Sequence, residues 1–174
     1  MIDLETIIRD VPDFPKPGII FKDITPLLAD PKAMAETVTR LVEPFESAGV
    51  DVVTGIESRG FIFGTLVAQR LGVSFVPIRK PGKLPAQTLS ASYELEYGTD
   101  TVEIHADAIA SGQKVLMVDD LLATGGTMAA GCELVTKLGG EIIGVTFVIE
   151  LDFLHGRDKL ADFDVHSLLH VAGE

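Results

Sequence analysis

Apolar and polar positions follow two alternating patterns along most of the chain. Short apolar runs, which predict buried strands, occur at 50–56, 73–78, 115–118 and 142–149. Between these runs, apolar residues recur at helical spacing, most clearly over Phe61–Leu71 and from Met128 to Leu138. Strands that alternate with helices indicate an α/β fold with a mostly parallel sheet flanked by helices. Ligands of such folds bind beyond the carboxyl ends of the strands.

The rest of the chain has weaker patterns. The first thirty residues contain four prolines and predict an irregular segment. Asp30 and Pro31 then match the N-cap and first-turn preferences of a helix that ends before Gly49. Residues 83–92 have no apolar period and predict a loop, which a short hairpin around Gly98 follows.

Length and composition are those of one globular domain over residues 1–174. No apolar run approaches the roughly 18 residues of a membrane span, and the acidic N-terminus has no apolar signal core. Cys132 is the only cysteine, which excludes an internal disulfide and a cysteine-based zinc site. Of the four histidines, only His166 and His170 have helix-like spacing, which equally fits a strand end, and we interpret all four as non-ligands. We therefore expect a cytoplasmic protein without a membrane partner.

The charge pattern restricts the possible partners further. The net charge is −12, from 14 basic and 26 acidic residues, and this argues against a nucleic-acid partner. Arg79, Lys80 and Lys83 nevertheless lie within five positions of one another. This cluster is either a solvated charge run or a local site for a small anionic ligand.

The strongest functional signal is the segment VLMVDDLLATGGT at 115–127. A predicted buried strand leads into Asp119 and Asp120, and a glycine-containing loop at 123–127 opens the next helix. Glycines let successive backbone N–H groups converge on one anion, and the helix N-terminus adds partial positive charge. The loop lacks the lysine of a Walker A motif and the spacing of a dinucleotide-binding motif. The segment predicts a site for a phosphate monoester, in which the acid pair binds the hydroxyls of the attached sugar. The alternative is a capped strand–loop–helix junction in which both acids are merely solvated.

This segment resembles the phosphoribosyl pyrophosphate motif of the type I phosphoribosyltransferases. Further segments are similar to the adenine phosphoribosyltransferases of that family: FPKPG at 14–18, FKDI at 21–24, ESRGF at 57–61, RKPGKLP at 79–85 and SYELEYG at 92–98. The resemblance implies the type I fold, with residues 1–30 contributing a small hood over a base site. It implies an enzyme that transfers the phosphoribosyl group of 5-phosphoribosyl 1-pyrophosphate to adenine, giving AMP and pyrophosphate. It also implies a Mg²⁺ requirement and a homodimer.

The resemblance gives each matched residue a role. The 5′-phosphate would be held by Ala123, Thr124, Gly125, Gly126 and Thr127, and the ribose hydroxyls by Asp119 and Asp120. Pyrophosphate would be held by Glu57, Ser58, Arg59, Arg79, Lys80, Lys83 and Tyr97. Adenine would be held by Ile20, Phe21, Lys22 and Leu121. The catalytic residues would be Glu96, Asp119 and Arg59, while Mg²⁺ would be held through substrate and water, with no side chain assigned to it.

Two alternative functions remain open on the sequence alone. The same chemistry could act on hypoxanthine, guanine or xanthine, although the segments at 14–24 and 92–98 favour adenine. A non-catalytic sensor could keep the phosphoribosyl pyrophosphate motif, but the strong negative charge disfavours the nucleic-acid surface that such a regulator needs. The ring of Phe21 either stacks on the base or belongs to the core.

Overall fold

The computed structural model describes residues 2–95 and 98–173. The chain forms two compact units, Met1–Arg40 and Leu41–Glu174. The expectation of a single domain in which residues 1–30 form a hood stays a prediction.

The first unit contains a small antiparallel sheet, one short helix and all but the last two residues of a second helix. Strand β1 (Arg9–Pro12) pairs with β2 (Ile20–Asp23), helix α1 spans Thr25–Ala29, and α2 spans Pro31–Val42. A short 3₁₀ turn at Glu5–Ile7 precedes them. The prediction of an irregular segment was therefore wrong in part, because strands of four residues are too short to show a hydrophobic period.

Asp30 caps α2 as the sequence predicts. Its Oδ1 accepts hydrogen bonds from the backbone N–H groups of Lys32 (2.8 Å) and Ala33 (3.2 Å), which have no partner within the helix. Pro31 occupies the first helical position, where the missing N–H is harmless. A 3₁₀ turn at Glu43–Phe45 follows the helix, so α2 itself ends earlier than the predicted stop at Gly49.

The second unit is built on a five-stranded sheet in which every pairing is parallel. Its strands are β3 (Val52–Ile56), β4 (Ser74–Ile78), β7 (Lys114–Leu122), β8 (Glu141–Leu151) and β9 (Val165–Val171). The spatial order is β4-β3-β7-β8-β9, and the longer helices are α3 (Gly60–Leu71) and α4 (Gly126–Lys137). Two 3₁₀ turns, Asp152–Leu154 and Gly156–Leu160, connect β8 to β9. The predicted α/β fold with a parallel sheet is confirmed.

Two further strands, which fall between β4 and β7 in the chain, form a separate antiparallel pair. Strand β5 (Thr88–Glu94) pairs with β6 (Thr99–His105). The prediction of a loop over 83–92 was wrong from Thr88 onward. Only Ala91 is buried among the residues of β5, so the sequence offers no alternating apolar pattern there.

The central strand β7 determines where a site can form. Residues 115–118 are all buried, as expected for a strand covered on both faces. Strand β7 pairs with β3 only as far as Val118, whereas its pairing with β8 continues to Leu122. The last four residues of β7 are therefore not paired with β3, and they lie at the carboxyl edge of the sheet.

We expect the Asp30→Ala variant to lower the free energy of unfolding by about 1 kcal/mol, because two N–H groups at the start of α2 lose their acceptor. Urea unfolding followed by circular dichroism measures the change. Lys32→Ala, an exposed substitution in the same turn, is the control and should shift the midpoint little. Equal effects of the two substitutions would contradict the capping role.

Candidate active site

A cavity of about 440 Å³ opens at the carboxyl ends of β3 and β7. Its walls come from the second unit and consist of Glu57, Ser58, Arg59, Lys80, Tyr93 and the continuous segment 119–128. The cavity thus brings together the acid pair, the glycine loop and the loop after β3, which the sequence predicts to share one site.

The acid pair, Asp119 and Asp120, lies on the part of β7 that does not pair with β3. Nε of Arg59 lies 2.7 Å from Oδ2 of Asp120, and the backbone N–H of Asp120 donates to Oδ1 of Asp119 at 2.9 Å. Burial raises the pKa of Asp119 well above its ordinary value, and the charge of Asp120 raises it further. Burial also raises the pKa of Asp120, although the Arg59 guanidinium opposes that rise. Carboxylate oxygens accept more than one hydrogen bond each, so both acids can also accept hydrogen bonds from the hydroxyl donors of a ligand.

Helix α3 begins directly against the acid pair. A Cβ atom on Gly60 would lie 2.7 Å from Oδ1 of Asp119 and 3.1 Å from the carbonyl oxygen of Val118. Only glycine lets the first turn of α3 approach this closely. The preceding peptide bond between Glu57 and Ser58 is cis.

The loop at 123–127 connects β7 to α4. Gly125 has φ 77°, in the left-handed region, and serves as the N-cap residue of α4. The first N–H groups of a helix have no partner inside it, and the hydroxyls of Thr124 and Thr127 make no hydrogen bond to another described residue. Converging donors at a helix N-terminus fit a phosphate group.

One of the three clustered cations predicted from the sequence lines the cavity, and the other two do not. Lys80 lines the cavity, whereas Arg79 and Lys83 are absent from the lining within the described residues. Arg79 donates two hydrogen bonds of 3.1 Å to Glu57 and a third, of 3.2 Å, to the carbonyl oxygen of Lys83. The guanidinium lowers the pKa of Glu57. Glu57 therefore keeps its charge and fixes the position of Arg79.

Lys80 is held by two residues that sequence reasoning missed. Its Nζ donates to Asp100 and, at 3.0 Å, to Oη of Tyr93. Tyr93 and Asp100 lie opposite each other in the β5–β6 pair, and the Tyr93 hydroxyl donates to Asp100 at 3.0 Å. The Lys80 ammonium lowers the pKa of Asp100. Tyr93 belongs to the matched segment 92–98, which was the available signal, but nothing in the sequence marks Asp100.

The remaining predicted site residues lie elsewhere or outside the described residues. Ile20, Phe21 and Lys22 lie on β2 in the first unit. The partly exposed ring of Phe21 packs edge-to-face on Phe14, with centroids 5.2 Å apart, so Phe21 is not fully buried. Leu121 lines the cavity. The catalytic role predicted for Glu96 and the pyrophosphate contact predicted for Tyr97 fall outside the described residues.

One further group of metal-ligating side chains occurs among the described residues. Glu150, Asp152 and His170 offer atoms within 4.8 Å of one another. His170 thus has carboxylate neighbours that the sequence did not indicate, because β8 and β9 are adjacent. The Glu150 carboxylate is already bonded to Arg157 and Ser167, so it is not an open metal ligand.

An acid pair followed by a glycine loop at the carboxyl edge of a parallel sheet is the arrangement of a phosphoribosyl-binding enzyme. The family model described as phosphoribosyl transferase domain matches residues 27–166, and the chain belongs to this family. The resemblance predicted from the sequence motifs is confirmed.

Close relatives over the whole chain are adenine phosphoribosyltransferases. That of Koribacter versatilis is 58% identical over 167 residues, which cover 96% of this chain and 92% of the relative. The crystal structure from Thermoanaerobacter pseudethanolicus gives a TM-score of 0.93 at 54% identity, with 96% and 97% coverage. The Saccharomyces cerevisiae structure, complexed with D-2,5-dideoxy-2,5-imino-altritol 1,6-bisphosphate and adenine, gives 0.90 at 44% identity, with 95% and 96% coverage.

None of the helices in the described residues has the length and apolar character of a membrane span.

The Asp119→Asn variant should be more stable than the natural chain at neutral pH. A carboxyl whose pKa is raised by folding keeps its proton longer in the folded than in the unfolded state, so its contribution to stability falls as the pH rises above 3.8. We expect the melting temperature of the variant to exceed that of the natural chain by a few degrees at pH 7 to 8. The difference should shrink toward pH 4.

Thermal unfolding of both proteins over this pH range measures how the difference in melting temperature changes with pH. A difference that is constant with pH, or that grows toward acid pH, would contradict the assigned cause. Asp107→Asn, which removes an exposed carboxylate with no side-chain hydrogen bond or ion pair to another described residue, is the comparison for a simple change in net charge.

Proposed function

We propose that this chain joins adenine to 5-phosphoribosyl 1-pyrophosphate and releases AMP and pyrophosphate. The proposal depends on one observation: the acid pair, Arg59 and the glycine loop that caps α4 all line the same cavity. The full-length similarity to adenine phosphoribosyltransferases supports adenine as the base. The chain acts on small molecules.

The phosphoribosyl group binds along the end of β7. The loop from Ala123 to Thr127 holds the 5′-phosphate through backbone N–H groups and the two threonine hydroxyls. Asp119 and Asp120 accept hydrogen bonds from the ribose hydroxyls, which lowers the electrostatic cost of burying two adjacent carboxylates. This arrangement directs C1′ toward the loop that follows β3.

The pyrophosphate group binds near Ser58, Arg59 and Lys80. Arg59 is paired with Asp120 in the structure, so substrate binding exchanges a carboxylate partner for a pyrophosphate oxygen. Glu57 contributes by holding Arg79 and the backbone N–H of Lys80, to which it is bonded at 3.1 Å. Arg79, Lys83 and Tyr97 complete the pyrophosphate site after the part of the segment from Lys83 to Ser92 that precedes β5 closes over it.

Mg²⁺ fits this donor set. Carboxylate and phosphate oxygens are its preferred ligands, and the acid pair lies beside the space assigned to the sugar and pyrophosphate. Asp119 and Asp120 would orient the ion through its water ligands while the substrate oxygens bind it directly. The ion would offset the charge that develops on the leaving group.

The base arrives with its reactive nitrogen directed at C1′. Leu121, in the cavity wall, covers one face of adenine. In the first unit, the ring of Phe21 and the backbone groups of Ile20 and Lys22 are the base-recognition groups that the family resemblance implies. The new N–C1′ bond forms as the C1′–O bond breaks, and the bonding electrons leave with pyrophosphate. Glu96 accepts the proton that adenine loses, while Asp119 and Arg59 stabilise the charges on the sugar and on the leaving group. The enzyme is a cytoplasmic homodimer.

The first experiment supplies purified protein with 5-phosphoribosyl 1-pyrophosphate, Mg²⁺ and one base at a time, and measures the nucleotide formed. Adenine should give AMP, whereas hypoxanthine, guanine, xanthine and orotate should give little product. Turnover of another base would contradict the base assignment. Ligand binding without any turnover would contradict catalysis and favour a sensor.

Phe21→Ala should raise the dissociation constant of adenine by roughly tenfold, because stacking on an aromatic ring contributes about 1–3 kcal/mol per base. Binding of 5-phosphoribosyl 1-pyrophosphate should change less than twofold. Isothermal titration calorimetry with each ligand measures both. Phe75→Leu removes a ring that packs on Phe61 in the second unit and controls for the general loss of an aromatic side chain. Equal weakening of both ligands in the Phe21 variant would assign its ring to the core.

A further inference from the structure

The turn at Gly156–Leu160 lies directly behind the loop assigned to the 5′-phosphate. A Cβ atom on Gly125 would collide with the carbonyl oxygen of Gly156. A Cβ atom on Gly156 would in turn collide with the carbonyl oxygen of Ala123 and lie 2.9 Å from Cδ1 of Leu122. The two backbones therefore touch with no space for a methyl group on either side. A displacement of the turn must displace the loop, since both backbones are already in contact.

The position of this turn is set by a buried carboxylate. Glu150 is only 3% exposed and pairs in register with Leu122, the residue that precedes the loop. Nε of Arg157 donates to Oε1 of Glu150 at 2.7 Å, and the hydroxyl of Ser167 donates to Oε2 at 2.6 Å. Nη1 of Arg157 also donates to the carbonyl oxygen of Val165 at 2.9 Å. Short, charge-assisted bonds on both carboxylate oxygens make Glu150 a firm anchor.

Arg157 is the link between this anchor and the loop. It is adjacent to Gly156 in the chain, and its guanidinium connects the turn to β8 and to the start of β9. Most other side chains of the turn are exposed, and Leu160 is its one buried apolar residue. The ion pair with Glu150 is therefore the main polar restraint on where Gly156 meets Ala123 and Gly125.

We propose that Arg157 is a positioning residue for the 5′-phosphate. Held by Glu150, it fixes Gly156 behind the loop and thereby keeps the loop N–H groups and the first turn of α4 aligned on one point. The proposal rests on the proposed function, because it needs the loop at 123–127 to be the phosphate site. It adds that the loop geometry depends on a residue about thirty positions away, outside the cavity wall.

Arg157→Ala should weaken AMP binding roughly tenfold, because small misalignments of a preorganised site have large effects. Adenine, which carries no phosphate, should bind within twofold of the natural affinity. In turnover, the KM for 5-phosphoribosyl 1-pyrophosphate should rise by a similar factor while the KM for adenine stays unchanged. Arg157→Lys keeps the charge beside Glu150 but cannot also reach Val165, so it should recover part of the AMP affinity.

Gly156→Ala is a second variant that leaves the ion pair in place. Its methyl group would press on the carbonyl oxygen of Ala123, and the same selective loss of AMP affinity should follow. Arg70→Ala is the matched control, since Arg70 is an exposed arginine 3.8 Å from Glu46 at the other end of α3 from the cavity. It should leave both ligands unaffected. Calorimetry and thermal unfolding are measured on every variant.

Equal loss of AMP and adenine affinity, or a lower melting temperature with unchanged binding, overturns the positioning role. Thr127→Ala separates this failure from failure of the proposed function. Weaker AMP binding in Thr127→Ala with natural binding in both Arg157→Ala and Gly156→Ala rejects the positioning role alone. Natural AMP binding in Thr127→Ala rejects the phosphate assignment and the positioning role with it.

Discussion

Two adjacent carboxylates at the end of a buried strand constrain most of the second unit. Because the last four residues of β7 do not pair with β3, Asp119 and Asp120 meet the start of α3 and the loop before it on that side of the strand. Arg59 supplies the opposing charge, and Gly60 supplies the space. Burial nevertheless raises the pKa of both acids, so their charged forms are destabilised in the folded chain. A ligand that donates hydroxyl hydrogen bonds to the two acids stabilises their charged forms.

The same principle reconciles an acidic chain with an anionic substrate. Arg59 is paired with Asp120, Arg79 with Glu57, and Lys80 with Asp100. In the Arg79 and Lys80 pairs both partners are 20–38% exposed, and ion pairs near the surface contribute little net stability. Exchanging either of these carboxylates for an oxygen of the proposed pyrophosphate therefore costs little free energy, whereas Asp120 is buried and needs a hydroxyl donor when Arg59 leaves it. The acids hold the cations in position without competing strongly against a ligand that carries several negative charges.

The sequence predicts the parts of this structure that are encoded locally. The buried run at 115–118, the cap at Asp30 and the glycine loop each depend on neighbouring residues, and all three have the predicted form. The strand from Thr88 was missed because its side chains are mostly polar and its pairing partner lies after the turn. Asp100 and Gly156 were missed for a related reason. Their contacts with Lys80 and Gly125 depend on tertiary structure, which no spacing along the chain expresses.

The two ends of the cavity are held by different kinds of contact. At the proposed phosphate end, backbones meet directly where Gly156 faces Gly125, and close-packed backbone contacts leave no room for adjustment. At the proposed pyrophosphate end, the Lys80 ammonium is held by the partly exposed side chains of Asp100 and Tyr93. A rigid phosphate end and an adjustable pyrophosphate end suit a reaction in which the sugar phosphate stays in place while the leaving group departs. The protein then orders in advance the groups around the part of the substrate that does not move.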